Sequence, residues 1–153
     1  MKYQGPNAWI QRHWYWRAAA NFVFGGTGSG LILAAALALP LGPARAVSLP
    51  LGLALVALGL TCVWLEIGRP LRALNVFINA RTSWMTREAY AGIALFCVTV
   101  AAFLRPGDWM EFALGFFALL FAWCQARILK ASKGIPAWRE PRAVPFILAT
   151  ALA

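Results

Sequence analysis

One histidine, His13, and three cysteines, Cys62, Cys97 and Cys124, are the whole supply of imidazole and thiol in 153 residues. That scarcity excludes several chemistries at once. A haem held between two helices by paired imidazoles needs two histidines, and this chain has one. The cysteines are widely separated and show no paired spacing, so zinc, iron–sulfur clusters and structural disulfides find no ligand set here. Each thiol reads as a small apolar filler. Acidic residues are also few: Asp and Glu together number 5 against 14 Lys and Arg, a formal net charge of +9.

What fills the chain instead is hydrocarbon. It is 61% hydrophobic and 12% charged, contains 8 Trp, and has a mean hydropathy of +0.67. A soluble domain of this length cannot hide so much apolar surface, so the solvent must be the bilayer. The basic residues alternate with membrane-length apolar runs and are not gathered on one soluble face. That pattern argues against nucleic acid as a partner and for juxtamembrane segments.

A helix rises ~1.5 Å per residue and the hydrocarbon core is ~30 Å thick, so a crossing takes ~20 residues. Four runs qualify: Ala18 to Leu41, Leu49 to Ile67, Ala89 to Leu104, and Met110 to Leu129. The third reaches full length if its helix starts near Ser83, a good N-cap. A fifth run, Ala143 to Ala153, covers about half a crossing, and unpaired carbonyls in mid-bilayer are costly, so the sequence reads as a partial gene product with a truncated fifth span. The expected fold is an all-α, polytopic transmembrane helix bundle. Residues 1–17 form an interfacial segment, 18–131 a four-helix bundle with a polar surface loop at 68–88, and 132–153 a basic loop and the start of the fifth span. The first apolar run is too long, and begins too late, for a removable signal peptide. Trp9, Trp14, Tyr15 and Trp16 are placed for headgroup level, as are Trp109 and Trp138 at other boundaries.

Twelve of the 14 Lys and Arg fall on one side of these spans, in the amino-terminal head, the loop between the second and third spans, and the segment after the fourth. Only Arg45 and Arg105 fall on the other. The positive-inside rule makes the basic side cytoplasmic, amino terminus included, in a cell inner membrane.

Two local patterns point further. In FGGTGSG, Gly26 and Gly30, and Gly25 and Ser29, lie four apart and leave a bare stripe on the first span. It suits close helix packing, or a flat ring laid against the backbone. The second pattern is the charged belt between spans two and three. Glu66, ending the second span at an apolar boundary, is a candidate proton carrier. From Pro70 to Ala80, Leu71, Leu74, Phe77 and Ile78 share a face opposite Arg72, Asn75 and Asn79, which predicts a short surface helix. Ser83 then caps the third span and places Glu88 in its first turn, where a negative charge suits the helix dipole, with an arginine such as Arg69 as neighbour. Asn21 and Gln125 are polar side chains inside spans near the same membrane face, which marks either a site or interhelical hydrogen bonding.

GRPLRALN, then TSWMTREAY, then CQARILKASKGIPAWREPRAVP resemble the polytopic membrane subunits of molybdopterin oxidoreductases, the group of dimethyl sulfoxide reductase anchors and polysulfide reductase membrane subunits. The signature elements are Gly68-Arg69-Pro70-Leu71-Arg72-Ala73 and the helix start Ser83 to Glu88. The resemblance covers nearly the whole chain and only the amino-terminal half of such a subunit. It implies a quinone-interacting anchor, with menaquinone or ubiquinone bound near an iron–sulfur electron-transfer subunit that serves a molybdopterin catalytic subunit, and with no haem or cluster in this chain. Glu88 and Arg69 match the family pattern. Where dimethyl sulfoxide reductase anchors end the second span in His-Leu-Gly, this chain has Glu66, Ile67 and Gly68. The resemblance carries over to Glu88 and Arg69; joined with the polar groups read from the spans themselves, the expectation is proton exchange at Glu66 and Glu88 and quinone contacts from Asn21, Arg69 and Gln125. A membrane transporter or a purely structural anchor is the alternative; a transporter predicts inverted repeats and a polar stripe through a whole span, and neither is present in the sequence.

Overall fold

In the computed structural model, residues 16–38, 40–66, 75–78, 81–132, 138 and 140–152 are described. They form five helices: α1 (Trp16–Ala38), α2 (Pro43–Glu66), α3 (Trp84–Leu104), α4 (Asp108–Ala131) and α5 (Ala143–Leu152). The first four are long and apolar enough to cross a membrane, so the protein is multi-pass. Among the described residues there is no strand, and α5, at 10 residues, spans half of that length.

The helix ends follow from local chemistry. Pro40 cannot continue α1, and Pro43 opens α2, where its fixed φ suits a first helical position and its missing N–H is no loss. The apolar pattern places that start at Leu49; the helix begins six residues earlier because Arg45 is buried and paired rather than left in a loop. Ser83 caps α3 as expected, in extended conformation (φ −103°, ψ 121°), its hydroxyl oxygen accepting the Thr86 N–H. Asp108 and Glu111 in the first turn of α4 and Lys130 in its last oppose the helix dipole. The surface helix expected over 70–80 is a single 3₁₀ turn at Asn75–Phe77 where the chain is described.

α1 lies at the centre, packed most extensively on α2 and also on α4 and α5, while α3 lies mainly against α4. Glycines allow the α1–α2 approach. A Cβ on Gly59 would come within 3.0 Å of the Asn21 carbonyl oxygen, and one on Gly28 within 2.5 Å of the Gly52 carbonyl oxygen. The closest of these approaches falls at Gly28, outside the stripe expected from the sequence; of that stripe, Gly25 faces Gln125 of α4 and Gly26 faces Ala151 of α5. The core is built from Ile32, Leu49, Val56, Leu95, Leu114 and Phe121. Outside, Leu37, Leu58, Ile93, Val100, Phe112 and Phe116 are exposed, while Asn21, Ser29, Thr86, Glu88, Thr99 and Gln125 are buried. Apolar side chains outward and polar ones inward is the arrangement that hydrocarbon solvent selects.

Candidate functional site

Antiparallel connections bring the amino ends of α1 and α3 and the carboxyl ends of α2 and α4 to one end of the bundle. Asn21, Glu88 and Gln125 each lie a few residues inside that end, about 6–9 Å deep at the helical rise. The equal depth lets them meet. Asn21 Nδ2 donates to Glu88 Oε1 at 3.2 Å, and Gln125 Nε2 donates to the same oxygen at 3.1 Å and to the Asn21 carbonyl at 3.1 Å. All three side chains are at most 3% exposed. Asn21 Oδ1 is buried and has no hydrogen-bond donor, so the cluster keeps one acceptor in reserve.

With Ser83 as cap, Glu88 is the fifth residue of α3. It lies in the second turn rather than the first, so dipole pairing does not account for its position. Its partners among the described residues are two neutral amides from two other helices.

Glu88 also forms part of the wall of a cavity of about 370 Å³ between α2, α3 and the turn at Asn75–Phe77. The other walls are apolar or aromatic, among them Leu60, Trp64, Phe77, Met85, Gly92 and Phe96. Volume and lining both fall within the range of small-molecule sites, in which few polar groups fix orientation within an apolar chamber. The turn is fastened over the cavity by α3. Thr86 Oγ1 donates to the Val76 carbonyl, Tyr90 OH donates to the Phe77 carbonyl at 3.0 Å, and the Phe77 and Tyr90 rings meet edge to face at 5.5 Å.

Asn21 and Gln125 stand behind Glu88 and are not among the residues of this cavity. Gln125 instead borders a second cavity, of about 340 Å³, with Gly26 and Thr27 of α1 and Ile147 and Ala151 of α5. Gly25 gives Gln125 its path, since a Cβ there would overlap the Gln125 amide nitrogen. Glu66 ends α2 half-buried, and no hydrogen bond joins it to the cluster among the described residues. Arg69 lies outside the described residues, as do His13, Trp9, Trp14 and Tyr15. Among the described residues no three His, Cys, Asp or Glu side chains gather as metal ligands.

Sequence reasoning did not reach the cavity walls or the fastening of the turn by Thr86 and Tyr90. It also missed a second polar contact at the opposite end, where Arg45 Nη2 meets Glu111 Oε1 at 2.5 Å and Arg45 Nη1 donates to the Ala35 carbonyl at 3.2 Å. That contact ties α2 to α4 and to α1. The chain matches no protein-family model, no curated protein and no solved structure.

Proposed function

We propose that the chain is the quinone-interacting membrane subunit of a molybdopterin and iron–sulfur oxidoreductase. The observation that carries this reading is Glu88, a carboxyl group in the wall of an apolar cavity, clamped from behind by amides of two other helices. A flat, apolar ring with two carbonyl oxygens suits that chamber, with Glu88 as the hydrogen-bonding group. When bound, a quinone supplies a two-electron, two-proton couple, with the electrons exchanged through an iron–sulfur partner.

The chain's own task is to hold the ring and move protons. Glu88 gives or takes a proton at its carboxyl oxygen, as a general acid–base group must, within reach of a ring oxygen. Asn21 accommodates either state: its Nδ2 donates to the carboxylate, and rotation of the amide presents Oδ1 to a protonated carboxyl group. Phe77, Phe96 and Trp64 give the chamber an apolar, aromatic wall. Glu66, at the same bundle end, is the entry group for protons from the aqueous side, and Arg69 is the basic contact that the sequence resemblance implies.

A structural anchor is the competing reading, favoured by the hydrogen bonds that tie α1, α3 and α4 together. Magnitudes weigh against it. An interhelical hydrogen bond in a membrane contributes ~0.6 kcal/mol, while burying a charged carboxylate costs several kcal/mol, and glutamine would offer the same acceptor oxygen without the charge.

The basic end then faces the cytoplasm, the membrane is the inner one, and the catalytic module is cytoplasmic. Cytoplasmic substrates such as coenzyme A thioesters become accessible to it, and the sequence also resembles the membrane subunit of phenylacetyl-CoA:acceptor oxidoreductase. A photoreactive quinone analogue tests the site. It should cross-link to the α3 segment that carries Met85 and Phe96, with protection by unlabelled quinone. Labelling confined to α1 and α4, around the second cavity, would contradict the assignment.

A further inference from the structure

The outer side of α3 and α4 carries a second cluster that the quinone reading does not use. Trp84, the first residue of α3, has two guanidinium groups against its ring: Arg87 at 4.2 Å and Arg127 of α4 at 4.4 Å from the centroid. Arg127 also lies 5.7 Å from the Trp123 ring. Arg87 is held in place by donating to the Arg81 carbonyl at 2.8 Å. Arg127 has no carboxylate partner among the described residues, where the ion pair present joins Arg45 and Glu111 at the other end. Two like charges thus share one indole at the basic end of the bundle.

Below them a groove of about 460 Å³ runs between the two helices, lined by Tyr90, Ala91, Ala94, Phe117, Leu120 and Trp123. Tyr90 and Trp123 are nearly half exposed, so the groove opens to the surroundings of the bundle rather than to its core. From the helix ends to Ala94 and Phe117 it descends about 15–20 Å at the helical rise, about the ~15 Å depth of one leaflet. Small residues on α3, Ala91 and Ala94, lie opposite the larger Phe117 and Leu120 on α4.

We infer that this groove is a binding site for an anionic phospholipid, its phosphate at the basic end marked by Arg87 in the groove wall and Arg127 beside Trp84, and one acyl chain along Ala91, Ala94 and Phe117. Charge complementarity selects the occupant. Guanidinium groups match phosphate oxygens in geometry and charge, and stacking on Trp84 and Trp123 holds them in register for a headgroup. An acidic protein segment would complement the positive charge but would have no use for an apolar groove a leaflet deep. A zwitterionic lipid would fill the channel and bring a cation to the same two arginines.

Native mass spectrometry of the full chain, delipidated in detergent and titrated with dioleoylphosphatidylglycerol or dioleoylphosphatidylcholine, tests this. The phosphatidylglycerol should bind preferentially as one tight copy. Each arginine near the headgroup is worth roughly five-fold in affinity, so Arg127→Gln should weaken that copy about five-fold and the Arg87→Gln/Arg127→Gln pair about 25-fold, with phosphatidylcholine binding unchanged. Arg105→Gln, at the opposite end, should change nothing. Ala94→Phe, which narrows the channel and leaves both arginines, should also weaken the tight copy; full retention there would mean general surface attraction and would overturn the site. Equal binding of the two lipids by the wild-type chain would overturn it too. So would unchanged phosphatidylglycerol binding in the double variant together with loss of a co-purifying subunit, which would make this face a protein contact. Arg127→Gln keeps the test readable if the double variant elutes as aggregate in size exclusion. None of these readouts involves quinone turnover, so the lipid site and the quinone site stand or fall separately.

Discussion

Gly25 and Gln125 occupy each other's space: the α4 amide lies where any side chain at position 25 would start, and from there it reaches Glu88 Oε1 at 3.1 Å. The absence of one Cβ on α1 therefore sets the hydrogen bonding of a carboxyl group on α3. Gly25→Ala should push Gln125 aside and break both of its hydrogen bonds, at an overpacking cost of about 1–3 kcal/mol. Thermal unfolding in detergent should report the loss. Quinone-coupled turnover should fall with it, while Gly107→Ala, at a position with open space around it, should alter neither.

At the other end of the bundle, Arg45 is 5% exposed and depends on Glu111 for its charge partner. Glu111 is partly exposed, but removing it leaves the buried Arg45 uncompensated, so Glu111→Ala should destabilise the protein by about 2–3 kcal/mol, while the double change Arg45→Met/Glu111→Leu should recover most of that loss. Denaturant unfolding of the purified variants measures both. A single variant as stable as the wild type would show that lipid headgroups or water take over the pairing.

The sidedness of the basic end is open to thiol labelling. With Cys62, Cys97 and Cys124 replaced, a cysteine at the exposed Asn75 should resist a membrane-impermeant reagent in intact cells and react in inverted vesicles, and a cysteine at Gly107 should behave in the opposite way. The reverse pattern would remove the cytoplasmic catalytic module from the account.

The all-α bundle was legible in the sequence because twenty-residue apolar runs have one explanation in water. The start of α3 was marked by Ser83, whose backbone preference acts locally, whereas the first apolar run reads on to Leu41 and α1 ends at Ala38, before Pro40, which cannot continue it. The start of α2 was hidden, because Arg45 looks like a loop residue until Glu111, 66 positions away, is seen to pair with it. Asn21, Glu88 and Gln125 were each readable as polar groups inside spans at similar depth. Their convergence was not readable: separations of 67 and 37 residues are bridged only once helix rotation is fixed, and Gly25, Gly28 and Gly59 fix it by letting backbones touch. Glu66 shows the converse, a carboxyl group close to the belt in sequence that joins no such cluster among the described residues. The cavity walls carried no signal, since Leu60 and Phe96 look like any lipid-facing residue of a span.

The role of Glu88 is tested most directly by Glu88→Gln in the assembled complex, measuring turnover with quinone and with a soluble dye that takes electrons directly from the partner subunits. Glutamine keeps the size and an acceptor for Asn21 and Gln125 and removes the exchangeable proton. A general acid–base group contributes ~10²–10⁴-fold, so quinone-coupled turnover should fall by about that factor while dye-coupled turnover and co-purification of the iron–sulfur partner stay nearly unchanged. Wild-type quinone turnover in an intact Glu88→Gln complex would contradict the account and leave the Asn21, Glu88 and Gln125 cluster as a structural tie between α1, α3 and α4.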